Sequence, residues 1–187
     1  MNLSTSTLSP FTLSHGGVES VHASVNGVDA NLLRLNYLVN GDIDKLSIPA
    51  NSNSRRADRL WEHTCFEAFI GIAADPGYYE FNFSPSGEWA AYSFRGYRDG
   101  GPIDGEALLP EIVLRRDLDK VELDAVVHLN RLPAIRPGCL LRIGLSAVIE
   151  ANDGTLSYWA LKHPAAKPDF HHPDSFALAL AFPSQSA

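Results

Sequence analysis

The chain has few cysteines, which limits the kinds of covalent or metal framework it can contain. Its 187 residues include two, Cys65 and Cys139, and neither forms a CxxC pair. Two lone cysteines in a chain without an export signal are more often buried thiols than a disulfide or a metal pair. We therefore expect both thiols to be reduced.

Excess positive charge and long apolar runs are also missing. The 15 basic residues face 22 acidic ones, for a net charge of −7, and no run of Lys or Arg is present. Nucleic acid is therefore not an expected partner. The first residues form no basic and apolar leader, and no stretch approaches the roughly 20 apolar residues that span a bilayer. We expect a cytoplasmic protein with no membrane partner.

No window shows a sustained helical period, whereas apolar and polar residues alternate in many short segments. The clearest are residues 121–129 and 140–149. Further strands are expected at residues 18–25, 32–39, 46–48, 66–72, 112–115, 157–161 and 176–182, with turns at 26–27 and 40–41. This pattern favours one all-β domain over residues 1–187, an antiparallel two-sheet sandwich of the jelly-roll type. We expect a monomer or weak dimer.

The most informative segment is the hairpin YYEFNFSPSGEWAAYSF at residues 78–94. One face of its first strand is apolar and carries Tyr79, Phe81 and Phe83. Glu80 and Asn82 lie on the other face. Trp89 or Tyr92 of the second strand shares that face, depending on the register of the hairpin. Carboxylate and amide groups beside aromatic rings suit a polar, ring-shaped ligand. We expect Glu80 and Asn82 to face ligand or water instead of the core.

A second carboxylate, Glu67, alternates with Phe66 in the preceding strand and can share the surface of Glu80. Such a pair could act as acid and base on a glycoside at a separation of about 5 to 9 Å. No GxSxG, HExxH, phosphate-binding glycine loop or dinucleotide fingerprint supports catalysis.

Arg95 and Arg98 follow the hairpin and could donate to a carboxylate or to sugar hydroxyls. The connection at residues 96–110 is rich in Gly and Pro and is either functional or disordered.

A histidine-rich stretch near the C-terminus contains possible metal ligands. These are His163, Asp169, His171 and His172. Their spacing matches no structural zinc signature, and neighbouring prolines predict a loop. We expect a surface loop and no metal.

Three segments resemble the DOMON-like superfamily: LWEHTCFEAFIGI, YYEFNFSPSGEWAAYSF and YWALKHPAAKPDFHHPDSFALAL. This group includes family-nine carbohydrate-binding modules, haem-binding cytochrome domains and single-domain bacterial proteins, and the last are the most similar. The resemblance implies a β-sandwich with a ligand site used for binding. By position, it implies seven ligand-binding residues: Trp61, Glu67, Glu80, Asn82, Trp89, Arg95 and Trp159.

The haem-binding relatives ligate iron with Met plus His or Lys, but the only methionine here is Met1. A haem would need two of four histidines, His63, His163, His171 and His172. We therefore expect no cofactor and a non-catalytic module for a saccharide or another polar cyclic metabolite. A bis-histidine haem module for electron transfer is the first alternative, and a glycoside hydrolase using Glu67 and Glu80 is the second.

Overall fold

A computed structural model describes residues 4–12, 16–29, 31–103 and 105–184. These residues form twelve strands: β1 Ser4–Pro10, β2 Val18–Asp29, β3 Leu32–Gly41, β4 Cys65–Ile72, β5 Tyr78–Phe83, β6 Trp89–Gly96, β7 Asp99–Pro102, β8 Glu111–Arg116, β9 Lys120–His128, β10 Leu140–Glu150, β11 Leu156–Ala160 and β12 Leu178–Ala181. Helix is limited, in the described residues, to 3-10 turns at Ile43–Lys45, Leu60–Glu62, Glu106–Leu108, Leu129–Arg131 and Pro173–Ser175. No helix in these ranges is long and apolar enough to cross a bilayer.

The strands form two antiparallel sheets that are joined by β1. Sheet A has the order β1-β2-β3-β9-β8, and sheet B has the order β7-β6-β5-β4-β10-β11, with β12 also paired to β10. The first five residues of β1 pair with β2, whereas Ser9 and Pro10 pair with Ala160 and Trp159 of β11. The expected all-β, antiparallel sandwich is confirmed.

Most of the expected strands are present, but some local details differ. The turn expected at residues 26–27 was wrong, because β2 continues through them to Asp29 with a register irregularity between Val25 and Val28. The strand expected at residues 46–48 is a single bridge from Leu46 to Ala151. Strands β1 and β7 were not expected, because neither segment alternates clearly between apolar and polar residues.

The main core lies between the two sheets and follows from the period-two pattern. Phe81 and Phe83 of β5 stack there, with ring centroids 6.2 Å apart. Tyr37 of β3 is fully buried, and its hydroxyl donates to the Glu67 carbonyl oxygen at 2.7 Å. This bond links sheet A to the backbone of sheet B directly beneath the Glu67 side chain.

The outer face of the central strands β4 and β5 is buried as well. Every residue of β4 and β5 is buried except Ile72, which is half-buried. Phe69, Tyr78 and Phe176 pack together on this outer face. Gly144 of β10 is needed there, because a Cβ would approach Phe176 Cδ1 to 2.8 Å. The central strands of sheet B therefore lie between two cores, which places their polar residues away from water.

Replacing Phe81 with alanine should lower the free energy of unfolding by about 3–5 kcal/mol, because it deletes a buried ring from the main core. Leu118→Ala is the control, since that side chain is 86% exposed. Urea unfolding of both variants checks this expectation. A change for Phe81→Ala as small as that for Leu118→Ala would contradict the assignment of the inner face.

Candidate functional site

A cavity of about 480 Å³ opens on the outer face of sheet B, and we call it the outer cavity. Its floor comes from β4, β5, β6, β10 and β11, and its walls come from the β6–β7 hairpin, the Leu60–Glu62 turn and residues 168–171. The lining side chains include Trp61, Glu67, Glu80, Tyr92, Phe94, Arg98, Val148, Tyr158, Pro168, Phe170 and His171. The cavity therefore combines aromatic walls with a small number of ionisable groups.

Two glutamates lie side by side on the cavity floor. Antiparallel pairing of β4 with β5 sets Glu67 opposite Asn82 and Phe69 opposite Glu80, so the two carboxyl groups are diagonal neighbours on one face. Glu67 is 3% exposed and Glu80 is 5% exposed. The expected shared surface is present, but both carboxyls are buried in it.

Asn82 lies beside Glu80 on the same face of β5 and is not among the residues that line the cavity. It is 0% exposed, and its Nδ2 donates to Glu80 Oε1 at 2.8 Å. The Cys65 thiol lies 3.7 Å from the Asn82 Oδ1 and donates to it. The expectation that Asn82 faces ligand or water was wrong, because its amide is used to hold Glu80 in place.

Burial changes the charge state of the two glutamates. It raises the pKa of Glu67 well above its ordinary value, and the nearby charge of Glu80 raises it further. Burial also raises the pKa of Glu80 to about 7, because the Asn82 hydrogen bond and the Arg98 charge offset only part of the desolvation. At neutral pH the pair therefore holds protons and can both donate and accept hydrogen bonds.

His171 joins the carboxyl pair to Tyr78. Its Nδ1 is 2.9 Å from the Tyr78 hydroxyl, and its Nε2 is 3.6 Å from Glu80 Oε2. Burial lowers the pKa of His171 to about 4, with the Arg98 charge acting in the same direction. The imidazole is neutral at neutral pH and brings no positive charge to the carboxyl pair.

Arg98 and Asp169 hold the two walls together. Arg98 Nη2 donates to Asp169 Oδ1 at 2.9 Å, and the Tyr97 hydroxyl donates to Asp169 Oδ2 at 2.7 Å. Burial raises the pKa of Asp169, but these hydrogen bonds outweigh it and the net shift is downward. Arg98 also has a left-handed backbone, with φ of 54°, and its N–H donates to the Tyr78 hydroxyl at 3.1 Å. Strained backbone of this kind is common at ligand sites.

Three of the seven residues implied by the resemblance line the outer cavity. Trp61 lies at the rim, 39% exposed, with its ring packed edge-to-face on Tyr92 at 5.8 Å. Glu67 and Glu80 form the floor.

The other two tryptophans do not fit the expected role, because both lie between the sheets. Trp89 pairs with Phe83 and Trp159 pairs with Ala147, which turns both rings toward the main core. Arg95 also lies away from the cavity, since its side chain is 85% exposed and pairs with Asp99 at 3.0 Å. We therefore remove Trp89, Trp159 and Arg95 from the candidate site.

The histidine-rich stretch forms no cation site in the part of the chain that the structure describes, because no three His, Cys, Asp or Glu side chains converge. Asp169 is committed to Tyr97 and Arg98, while His163 Nε2 bonds the Ser9 carbonyl oxygen at 2.8 Å. His172 Nδ1 accepts from the Asp174 N–H, and His63 pairs with Glu150. Of the four histidines considered for haem, His171 is the one that lines the cavity.

Sequence reasoning gave too little weight to several cavity residues. Tyr92 lies directly opposite Glu80 and was one of two alternatives for that position. Phe94 and Tyr158 occupy outward-facing positions in the alternation of their strands, and that alternation could have identified them from the sequence. Phe170 and His171 lie in an irregular segment, where no periodicity indicates which side chain turns inward.

Truncating Asn82 to alanine should lower the free energy of unfolding by about 1–3 kcal/mol, because Glu80 Oε1 loses its buried donor. Asn53→Ala, at an exposed position, serves as the matched control and should change little. Chemical denaturation of both variants measures the difference. Equal stability of the two variants would show that Asn82 does not support Glu80.

The Glu80→Gln variant should gain stability relative to the natural protein as pH rises. Glu80 has an ordinary pKa of 4.5 and a folded pKa of about 7, so between these values the folded state binds a proton that the unfolded state has lost. The Glu80 contribution to stability is therefore lost across this window, and glutamine does not titrate. The difference in unfolding free energy should grow from near zero below pH 4.5 to about 3 kcal/mol above pH 7.

Unfolding curves at half-unit pH steps measure this difference. His171 acts in the opposite direction between its folded pKa of about 4 and its ordinary value of 6.5, and its effect is common to both proteins. A difference that stays constant from pH 4 to pH 8 would show that Glu80 ionises in the folded protein as it does in the unfolded chain.

The fold matches those of solved carbohydrate-binding proteins. A candidate carbohydrate-binding protein from Bacteroides uniformis aligns with a TM-score of 0.64 and 15% identity, over 92% of this chain and 83% of that one. A family-nine carbohydrate-binding module from Caldicellulosiruptor kristjanssonii, in complex with cellotriose, aligns with a TM-score of 0.59 and 9% identity, over 98% and 84%. A family-nine module from the same organism, in complex with glucose, aligns with a TM-score of 0.51 and 12% identity, over 89% and 78%.

The match to these structures is one of fold alone, because the identities are low. No protein-family model matches the sequence. No curated protein matches it significantly. The chain therefore has the β-sandwich fold of carbohydrate-binding modules.

Proposed function

We propose that the protein binds a small, polar, ring-shaped ligand in the outer cavity, a saccharide in the first place, and does not turn it over. The observation that carries this proposal is the meeting of Glu67 and Glu80 with aromatic walls around one cavity of about 480 Å³. Small-molecule sites are typically concave and mostly apolar, with a few polar groups that fix orientation, and span about 300–1,000 Å³.

The aromatic walls suit the apolar faces of a sugar ring. They consist of Trp61, Tyr92, Phe94, Tyr158 and Phe170. Tyr92 is held in place, because its hydroxyl donates to Asp58 Oδ1 at 3.0 Å and its ring contacts Trp61. A sugar ring can therefore stack its apolar face on rings whose positions are already fixed, which reduces the entropy lost on binding.

The polar groups on the floor suit hydroxyl groups, which donate and accept hydrogen bonds. Glu67 and Glu80 can do both while they share protons, and Arg98 adds donors from one wall. The fold neighbours support the saccharide class, since all three are described as carbohydrate-binding and two hold cellotriose or glucose.

Binding without turnover is supported by the shared environment of the two carboxyls. Acid–base catalysis works best when the surroundings push two pKa values apart, so that one group is ionised and the other is protonated. Here the same burial raises the pKa of both Glu67 and Glu80. Membership of the DOMON-like superfamily, a single domain over residues 1–187, a monomeric or weakly dimeric state and a cytoplasmic location stay predictions.

A panel of monosaccharides and short oligosaccharides should contain a binder that raises the melting temperature of the protein. Glu67→Ala should weaken that binding by roughly 1–3 kcal/mol, because it strands a ligand hydroxyl in a buried site. Arg98→Ala should weaken it as well, whereas Arg95→Ala should not, since Arg95 lies outside the outer cavity.

Isothermal titration calorimetry of the three variants gives the affinities, and circular dichroism verifies that each is folded. Equal losses of affinity for Arg98→Ala and Arg95→Ala would show that the ligand binds outside the outer cavity. Release of reducing sugar from a bound oligosaccharide would contradict binding without turnover.

A further inference from the structure

Within the described part of the chain, no buried cation pairs with the two carboxyls on the floor. Glu67 is 3% exposed, and the hydrogen bond that its carboxyl receives within the described ranges is a long one, 3.4 Å from Ser146 Oγ to Oε2. The Glu67 side chain also lines the cavity. A carboxyl that faces a cavity and receives so long a hydrogen bond from the protein has room to accept from a ligand donor.

The Arg98 guanidinium, whose charge acts on the two glutamates, is already in an ion pair with Asp169. Arg98 lies in the wall, but its guanidinium is 2.9 Å from the Asp169 carboxylate, which has a side-chain exposure of 4%. His171 is neutral, because burial lowers its pKa to about 4. The outer cavity therefore carries excess negative charge when Glu80 ionises, and within its described lining Arg98, which is already paired with Asp169, offsets only part of that charge.

The aromatic walls add a second preference for positive charge. Ring faces attract ammonium groups through their quadrupole, and the attraction increases when the site is shielded from water. Phe94 stacks on Tyr78 with centroids 4.8 Å apart, and Tyr92 lies next to Phe94 at 6.5 Å. A cation above the two glutamates would thus meet carboxyl oxygens below and ring faces at the side.

We propose that the outer cavity prefers a ring-shaped ligand that carries an ammonium group, an amino sugar within the saccharide class, over the neutral ligand of the same shape. This inference rests on the proposed function and specifies its ligand. The ammonium donates to Glu67 and Glu80, while the rest of the ring stacks on the aromatic walls. A uronic acid is disfavoured, because its carboxylate would approach the same two glutamates.

A matched ligand series tests the inference on the natural protein. Calorimetry at pH 7 compares glucosamine with glucose, which lacks the nitrogen, with N-acetylglucosamine, which keeps the nitrogen without its charge, and with glucuronate. We expect glucosamine to bind about tenfold more tightly than glucose or N-acetylglucosamine, a ratio in keeping with one charge-assisted contact. Glucuronate should bind more weakly than glucose.

Glutamine variants then assign the preference to the two carboxyls. Glu67→Gln and Glu80→Gln keep the shape of the side chain but cannot ionise when an ammonium group binds, so each should reduce the ratio of glucosamine to glucose affinity toward one. Glu111→Gln, at an exposed position on sheet A, should leave the ratio unchanged. The ratio compares two ligands on the same protein, so a general loss of stability does not imitate the effect.

The outcomes separate this inference from the proposed function. Glucose or N-acetylglucosamine binding as tightly as glucosamine overturns the ammonium preference and leaves saccharide binding in place. A preference that persists in both glutamine variants also overturns the inference, because the charge would lie elsewhere. If no saccharide binds the folded protein, charged or neutral, the proposed function fails and the inference fails with it.

Discussion

The exclusion of water from two neighbouring carboxyl groups is the constraint around which sheet B is organised. Antiparallel register sets Glu67 and Glu80 diagonally on one face, and the packing of Phe69, Tyr78 and Phe176 beside them removes the solvent that would normally screen their charges. Buried carboxyls cost stability unless they are paired or protonated. Both carboxyls lie at the floor of a cavity and not within a packed layer. Functional sites often lower the stability of a protein in this way.

The floor and the walls of the site differ in how they are held. The floor lies on regular strands, and the Tyr37 hydroxyl ties the β4 backbone at Glu67 to the opposite sheet. The walls are irregular segments that meet through Asp169, which accepts from both Tyr97 and Arg98. Gly100 allows the β6–β7 hairpin to close, because a Cβ there would collide with the Ser93 carbonyl oxygen. The site thus combines a rigid polar floor with walls that depend on one buried carboxylate.

Alternation along the chain was enough to predict the sandwich and to place Glu67 and Glu80 on one surface, because the side-chain period of a strand is two. The same period divides the residues of a strand between two faces, but it does not reveal which face is covered by loops. The resemblance assigned Trp89 and Trp159 to the ligand, but their registers turn both rings into the main core. Phe170 and His171 reach the cavity from an irregular segment, whose path depends on contacts with Phe69, Tyr78 and Tyr158 distant in sequence.

Strand β1 has a role that concerns self-association. It lies beside β2 in one sheet and, through Ser9 and Pro10, beside β11 in the other. Unpaired strand edges offer rows of backbone donors and acceptors to other chains, and proteins protect them with short strands, proline or charge. One seven-residue strand therefore shields an edge of both sheets, with a proline at its end. Its displacement would open two templates for intermolecular pairing at once, so this strand protects one edge of each sheet against aggregation.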